Sequence, residues 1–315
     1  SNHKLNVGML GMHGDYAPNI LTNKCDVLIA VGMRFDDRVT ANVNTYAKQA
    51  KIIHLDIDKA EIDKNIKTDV AVIGNCKETL YELNKLLIKR NRNNWLKKFY
   101  ELKLVEEEKL SLNKNIESNT NISMQEVILS VNYITNGEAI IVTDVGQHQM
   151  IACKYSKFKH TKSLITSGGL GTMGFCLPAA IGAKIACPNR QVIAIIGDGG
   201  FQMTIQELGT MFQSKIDIKI LILNNQFLGM VRQWQDLFFD KRYSATKMIN
   251  PDFQTIAKGY ALEVNKVNKR EELNPAIKAM LNYKGSYLLE VEVDKEENIF
   301  PMIETGASVS EIRLK

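Results

Sequence analysis

A glycine-rich turn that carries one carboxylate holds the residues best suited to bind a metal ion. Positions 197–200 read Gly-Asp-Gly-Gly and directly follow the short apolar run VIAII. A second apolar run, KILIL at 219–223, leads to Asn224 and Asn225. Such runs predict buried parallel strands, and neighbouring parallel strands end at the same edge of a sheet. We therefore expect Asp198 and Asn225 to lie close together.

The ligands that these positions offer favour Mg²⁺. Asp198 supplies a carboxylate, Asn225 an amide oxygen and Phe227 a backbone carbonyl, and hard oxygen ligands are those that Mg²⁺ prefers. The rest of the coordination shell would suit water and two phosphate oxygens, so we predict an anchor for a magnesium-bound diphosphate. The alternative is an ordinary strand-to-helix turn in which the aspartate caps the helix.

Composition narrows the class of protein. The chain has 315 residues, 45% of them hydrophobic and 24% charged, which is enough for two domains with sizeable cores. The formal charge of +5 comes from lysines scattered among glutamates, so we predict no nucleic-acid partner. No apolar run approaches the ~18 residues of a membrane span, and we predict no membrane association. Five cysteines without metal-binding spacing suit a reducing, cytoplasmic location. A start at Ser1 suggests a fragment of a longer protein.

The first 90 residues read as part of a doubly wound domain. DVLIAVG at 26–32 and KIIHLDID at 51–58 predict parallel strands, and both lead into charged loops. An acidic residue in such a place can accept hydrogen bonds from ribose hydroxyls, and an arginine beside a glycine turn can bind a diphosphate. A solvated charged loop is the alternative. The loop LGMHG at 10–14 has a structural alternative as well, because a lone histidine in such a loop is more often structural than catalytic.

The remaining chain predicts a second α/β domain. Residues 91–120 are rich in Lys, Glu and Asn and predict a charged helix followed by a polar linker. From 121 to 315 the pattern alternates apolar strands with helices, among them a helix capped by Ser123 and a glycine-rich turn at 168–174 that enters a helix of small residues. The predicted fold is α/β, with two doubly wound parallel-sheet domains.

Taken together, the motifs resemble the acetolactate synthase (acetohydroxyacid synthase) large-subunit family, in its carboxyl-terminal part. The resemblance runs from Gly8 almost to the carboxyl end, and only 91–120 lacks a distinctive match. Its blocks are LGMHG, GMRFDDRVT, HLDIDKAEI, TDVGQHQM, TSGGLGTMGFCLPAAIGA, IIGDGGFQM, NNQFLGMVRQWQ and PMIETGAS. FDDRVT and MVRQWQ are specific to this synthase rather than to thiamine diphosphate enzymes at large.

The resemblance implies three cofactors: thiamine diphosphate, Mg²⁺ and FAD. It assigns Mg²⁺ to Asp198, Asn225 and the Phe227 carbonyl. It assigns the diphosphate to Gln147, His148, Gly199 and Gly200, and the aminopyrimidine to Gly171 and Met173. Core packing is the alternative for Met173. The FAD residues by match are His13, Gly14, Gly32, Arg34, Asp36, Arg38 and Asp56. Trp234 would line the substrate channel, with a half-buried surface position as its alternative.

The reaction implied is the thiamine-dependent joining of pyruvate to a second 2-oxoacid, pyruvate or 2-oxobutyrate, with loss of CO₂, in branched-chain amino-acid biosynthesis. The implied partners are a second copy of the chain and a regulatory small subunit. The family's catalytic glutamate has no counterpart by motif here, so the catalytic residue is unknown and we expect the fragment to be inactive alone. Cys176 stands where the family pattern predicts glycine. Pyruvate oxidase, glyoxylate carboligase and a non-catalytic cofactor-binding module remain alternatives.

Overall fold

The computed structural model describes residues 3–112 and 121–315, which form two compact units. The first unit combines residues 4–112 with residues 300–315, and the second comprises residues 121–299. The sequence had grouped residues 300–315 with the second domain. They belong to the first unit because Ile303, Val309 and Ile312 are buried in its core, beside Phe35 and Tyr46.

The first unit is built on a three-stranded parallel sheet in the order β1-β2-β3. Its strands are β1 (Val27–Val31), β2 (Lys51–Asp56) and β3 (Val70–Ile73). Its helices are α1 (Tyr16–Thr22), α2 (Asp37–Thr40), α3 (Cys76–Leu86) and α4 (Asn93–Leu112). The predicted charged helix is thus α4, and its Leu102 packs against the core of this unit. The predicted linker that follows lies at residues 113–120, outside the described residues.

The second unit is a six-stranded parallel sheet in the order β5-β4-β6-β7-β9-β8. The strands are β4 (Ile140–Thr143), β5 (Leu164–Ile165), β6 (Val192–Gly197), β7 (Lys219–Asn224), β8 (Glu263–Val267) and β9 (Tyr287–Glu292). The helices are α5 (Met124–Thr135), α6 (Gln147–Tyr155), α7 (Cys176–Ala186), α8 (Asp198–Met203), α9 (Glu207–Ser214), α10 (Gly229–Phe238), α11 (Phe253–Gly259) and α12 (Arg270–Asn282).

Helices cover both faces of this sheet and give the unit two cores. Alternate strand residues point to opposite faces, so Ile193 and Ile195 of β6 pack with α5, α6 and α12. Ala194 and Ile196 of the same strand pack with α7, α9 and α11. Every residue of β6 and β7 is buried, which explains why these strands read as continuous apolar runs.

The α/β fold with two parallel sheets is confirmed. Ser123 begins α5 as predicted: its side chain accepts from the backbone of Glu126, whose carboxylate accepts from Ser123 in return. The sequence pattern did not predict strand β8. All five cysteines are free thiols, but only Cys176 is buried, where several were expected to be. Among the described residues, no helix is long and apolar enough to cross a membrane.

Candidate cofactor site

A cavity of about 230 Å³ lies at the carboxyl ends of β4, β6 and β7. Strand β4 pairs with β5 on one side and with β6 on the other, so the chain reverses direction across the sheet at this point. Open parallel sheets bind ligands in the crevice that such a switch creates. The cavity is lined by Met124, Val145, Gly146, Gln147, His148, Met150, Gly171, Met173, Gly197, Asp198, Gly199, Gly200, Leu223, Asn225, Phe227, Leu228, Gly229, Met230 and Val231.

All nine residues that the sequence assigned to the metal and to thiamine diphosphate line this cavity. They are Gln147, His148, Gly171, Met173, Asp198, Gly199, Gly200, Asn225 and Phe227. They come from four separate stretches of the chain, because each follows a strand or enters a helix at the same edge of the sheet. The lining combines many apolar side chains with few polar ones, as small-molecule sites do.

Asp198 is the one carboxylate among the described lining residues. It is the first residue of α8, and only 1% of its surface is exposed. Burial raises the pKa of this carboxyl to about 6, although the hydrogen bond from Asn250 to Oδ2, at 2.7 Å, acts in the opposite direction. A buried carboxylate whose charge is poorly compensated by the protein is well suited to a cation.

The Asn225 side chain is held in one orientation. Its Nδ2 donates to Oε1 of Gln147 at 3.2 Å, and its Oδ1 accepts from the backbone N–H of Phe227 at 3.1 Å. Gln147 is fixed in turn, because its Nε2 donates to Oε1 of Gln233 and to the carbonyl of Glu297. The amide oxygen of Asn225 keeps a second lone pair, so it can serve as the neutral metal ligand that the sequence predicted.

His148 places a buried, unpaired nitrogen at the cavity. The residue is 6% exposed, and Nε2 has no hydrogen-bond partner among the described residues. Burial lowers the pKa of His148 to about 4, so the ring is neutral at pH 7. Its ring also packs on Gly197, where an added Cβ would lie 2.9 Å from the ring atoms. A diphosphate oxygen is a fitting partner for this nitrogen when Nε2 carries the proton.

Glycines at the cavity let neighbouring side chains pack closely against the backbone. A Cβ on Gly229 would lie 2.1 Å from Oε1 of Gln147, and a Cβ on Gly199 would lie 2.8 Å from Leu228. A Cβ on Gly200 would meet the carboxylate of Asp144, which accepts from the backbone N–H groups of Gly174 and Cys176. A larger residue at any of these three positions would have to displace the side chain that packs against it.

The orphaned nitrogen of His148, the buried Asp198 and this tight glycine cradle together fit a magnesium-bound diphosphate.

Cysteine is tolerated at position 176 because the side chain is small. Its buried Sγ donates to the carbonyl of Val142 at 3.0 Å.

Comparison with known proteins gives two matching family models. The model described as the C-terminal TPP binding domain of thiamine pyrophosphate enzymes matches residues 144–291, and the central domain of those enzymes matches residues 1–83. The acetolactate synthase large subunit of Lactococcus lactis is 42% identical over 313 residues, 99% of this chain and 53% of the relative. The chain belongs to the acetolactate synthase large-subunit family.

Two further relatives have the same extent of match. The isozyme 2 large subunit of Escherichia coli is 42% identical over 97% of this chain and 55% of its own length. The probable large subunit of Methanocaldococcus jannaschii is 40% identical over 99% of this chain and 53% of its own length. The chain therefore spans about half the length of the acetolactate synthase subunits that it matches.

The residues predicted to bind FAD lie in the first unit, on loops after the strands. Gly32 follows β1, and its N–H donates to the carbonyl of Leu55 on β2 at 2.8 Å, which brings it beside the buried Asp56. A Cβ on Gly32 would meet no atom within 4 Å, so space is open there. Open space beside the ends of two strands fits a dinucleotide. The assignment of FAD to these residues stays a prediction.

The other FAD candidates lie close by in this unit. The loop that carries His13 and Gly14 is joined to the next one by a hydrogen bond from Met12 N–H to the carbonyl of Arg38, at 2.7 Å. Arg34 is occupied by an ion pair with Asp36 at 2.9 Å, and Asp36 also caps α2.

Trp234 does not line the cavity. It lies one turn further along α10 than the lining residues Met230 and Val231, half-buried, with its ring 5.0 Å from that of Phe238. Its role at a substrate channel remains a prediction.

Sequence reasoning missed several residues that shape the site. Gly229 lies within the block NNQFLGMVRQWQ, shortly after Asn225. A glycine at the start of α10 could therefore have been predicted to border the site. Asn250 was not foreseeable, because it lies 52 residues from its partner Asp198 and outside every motif. Among the described residues no group of three or more His, Cys, Asp or Glu side chains forms a metal site.

Proposed function

We propose that the cavity of the second unit binds thiamine diphosphate through Mg²⁺, and that the whole protein of which this chain forms part makes 2-acetohydroxyacids from 2-oxoacids. The observation that carries the proposal is the convergence of all nine assigned residues on one cavity at the switch point of the sheet. The match of residues 144–291 to the TPP binding domain supports it.

The roles of the residues follow from their positions. Asp198 and Asn225 hold the cation with the Phe227 carbonyl, and the backbone around Gly199 and Gly200 borders the diphosphate. His148 contributes a neutral ring nitrogen that can donate to a diphosphate oxygen. Thiamine diphosphate, when bound, supplies an acidic thiazolium carbon and an electron sink for decarboxylation of a 2-oxoacid.

The apolar side chains of the cavity orient the rest of the cofactor and exclude water. The methyl carbon of Met173 lies near Gly199, at 3.9 Å from the place that a Cβ there would take. Met173 therefore lies beside the glycine turn, and its apolar side chain would be available to the aminopyrimidine of a bound cofactor. Excluding water strengthens every electrostatic contact at the reacting atoms.

Further parts of the proposal concern the whole protein. We propose pyruvate as donor, with pyruvate or 2-oxobutyrate as acceptor, and a place at the start of branched-chain amino-acid biosynthesis. FAD is proposed to bind the first unit at His13, Gly14, Gly32, Arg34, Asp36, Arg38 and Asp56. A homodimer or higher oligomer and a regulatory small subunit are the proposed partners, and the names of the relatives as large subunits support the latter.

Calorimetric titration of the purified chain tests the cofactor site. We expect saturable thiamine diphosphate binding that requires Mg²⁺, and Asp198→Ala should abolish it because the metal loses its one charged ligand. Asp217→Ala is the matched control. This exposed carboxylate precedes β7 at the opposite edge of the sheet and should not alter binding. Binding by the Asp198 variant at the affinity of the unsubstituted chain would refute the site.

A further inference from the structure

A line of hydrogen-bonded side chains leads from an ion pair to the carboxylate of Asp198. Lys266 Nζ lies 3.3 Å from Oε1 of Glu290, and the same oxygen accepts from Nδ2 of Asn224 at 2.7 Å. Nδ2 of Asn250 donates both to Oδ1 of Asn224, at 3.1 Å, and to Oδ2 of Asp198, at 2.7 Å. Asn224 and Glu290 are 5% and 4% exposed, so the middle of this line is shielded from water, whereas Asn250 is half-buried.

The line has one direction because both ends of the Asn224 amide have fixed partners: the backbone N–H of Gln226 donates to its Oδ1 at 3.0 Å, and its Nδ2 donates to Glu290. An ionised Glu290 can only accept hydrogen bonds, so the amide nitrogen of Asn224 must face it. The oxygen of Asn224 then points to Asn250, whose own nitrogen must point back. Gln202 completes this arrangement, because its Nε2 donates to the oxygen of Asn250 at 2.9 Å. The amide of Asn250 therefore presents a donor, and not an acceptor, to Asp198.

Asn250 is held in place by the backbone next to the proposed metal ligands. The segment that precedes it runs antiparallel to residues 226–228: Leu228 N–H donates to the Thr246 carbonyl and Met248 N–H to the Gln226 carbonyl, both at 2.8 Å. This segment places Asn250 beside Asp198, although Asn250 lies outside the sequence blocks that carry the family resemblance.

We propose that Glu290, Asn224 and Asn250 are positioning residues for the metal ligand Asp198. The donor from Asn250 engages Oδ2, which fixes the rotation of the carboxylate and leaves Oδ1 to bind the cation. Hydrogen bonds from residues behind a metal ligand orient that ligand and are worth about 10- to 100-fold in metal affinity or activity. The inference rests on the proposed function, since it needs a cation at Asp198.

Asn250→Leu tests the last step, because leucine keeps the approximate shape and removes the donor. With saturating thiamine diphosphate, a calorimetric titration with Mg²⁺ should give an affinity about 10- to 100-fold weaker than that of the unsubstituted chain. Thermal unfolding without cofactor reports separately whether the variant is folded. An unchanged Mg²⁺ affinity in a folded variant would overturn the inference.

Glu290→Gln tests the start of the line, and the chain offers a matched control on the same strand. Glu292 also pairs with Lys266, at 2.6 Å, but its side chain is 36% exposed where that of Glu290 is 5% exposed. Glu290→Gln should weaken Mg²⁺ binding, because a neutral amide oxygen holds the Asn224 donor less strongly than a carboxylate does, and the line to Asn250 becomes less fixed. Glu292→Gln likewise removes a carboxylate that pairs with Lys266, and it should leave the Mg²⁺ affinity unchanged.

A double variant separates positioning from general destabilisation. If Glu290 acts through Asn250, Glu290→Gln should have no further effect on Mg²⁺ affinity once Asn250 is leucine. Independent, additive losses would contradict the inference. Failure of the proposed function is distinguishable, because the unsubstituted chain would then show no Mg²⁺-dependent binding at all, whereas failure of the inference leaves that binding intact in the unsubstituted chain.

Discussion

Burial acts in opposite directions on the two titratable side chains of the cavity. It raises the pKa of Asp198 to about 6 and lowers that of His148 to about 4, since a low-dielectric environment disfavours the charged form of each. At pH 7 the cavity therefore holds an ionised carboxylate beside a neutral imidazole. A cation at Asp198 would stabilise the charged carboxylate, and an uncharged ring can border a diphosphate without competing for that cation.

The burial of His148 predicts a pH dependence of stability. The unfolded chain binds a proton at this residue below its ordinary pKa of 6.5, and the folded chain only near 4. Between these values the unfolded state binds more protons, so the free energy of unfolding falls as the pH falls. The loss attributable to His148 should reach about 2 kcal/mol at pH 5.

Urea denaturation at pH 7 and pH 5, for the unsubstituted chain and for His148→Gln, checks this value. The difference between the two proteins isolates the histidine, because all other titrating groups, Asp198 included, are common to both. Parallel loss of stability in both proteins would contradict the assignment of this pH dependence to His148.

Substituting Gly200 should destabilise the fold through a packing clash. In Gly200→Ala the new Cβ would meet the Asp144 carboxylate, which two backbone donors hold in place, so we expect a destabilisation of about 1–3 kcal/mol. Gly182→Ala in α7 is the control: no atom lies within 4 Å of its Cβ, and alanine favours the helix by up to ~1 kcal/mol. Chemical denaturation of both variants should give opposite signs. Equal effects would mean that Asp144 moves aside freely.

At the scale of elements, helices α6 and α10 begin at the cavity and carry much of its lining. Their first turns supply Gln147 and His148 in one case and Gly229, Met230 and Val231 in the other. The first N–H groups of a helix are free to bind an anion, and the helix dipole favours negative charge there. The first turns of two helices, each at least nine residues long, thus border the space proposed for the diphosphate.

Trp234 lies further along α10. We predict that substituting it changes the choice of acceptor but not cofactor binding. In the whole protein, Trp234→Leu should lower the preference for 2-oxobutyrate over pyruvate, because one methylene in an apolar pocket is worth about 1–3 kcal/mol. Thiamine diphosphate affinity should not change, since the side chain does not line the cavity. Competition between the two acceptors, followed by product analysis, measures the effect. An unaltered product ratio would assign Trp234 to packing against Phe238.

The elements that sequence predicted best are those whose burial is complete. Strands β6 and β7 are buried along their whole length, so their apolar runs and the polar residues that follow them placed Asp198 and Asn225 correctly in one cavity. Strand β8, with the sequence EVNKV, lies at the edge of the sheet and is mostly exposed or half-buried, so it lacks that signal. Asn250 and residues 300–315 depend on contacts between distant parts of the chain, which local pattern does not encode.

At the scale of the whole molecule, the chain spans about half of its relatives' length, and the proposed activity belongs to the whole protein. We expect the 315 residues alone to bind thiamine diphosphate with Mg²⁺ but to form no acetolactate. The glutamate on which the family relies to activate the cofactor has no counterpart by motif in this sequence. A colorimetric acetolactate assay with pyruvate, Mg²⁺, thiamine diphosphate and FAD checks this. Turnover on the order of 1 to 10³ per second would reveal a catalytic base within these residues.

The most direct measurement is a crystal structure of the chain with thiamine diphosphate and Mn²⁺, located by its anomalous scattering as a substitute for Mg²⁺. We predict one strong peak at the carboxyl ends of β6 and β7, bound by Asp198 Oδ1, Asn225 Oδ1 and the Phe227 carbonyl at about 2.0–2.2 Å, close to Mg²⁺–oxygen distances. The diphosphate should complete the shell, with His148 Nε2 beside it. A cation and diphosphate bound elsewhere, or a diphosphate in the cavity without a cation at Asp198, would contradict the proposed site.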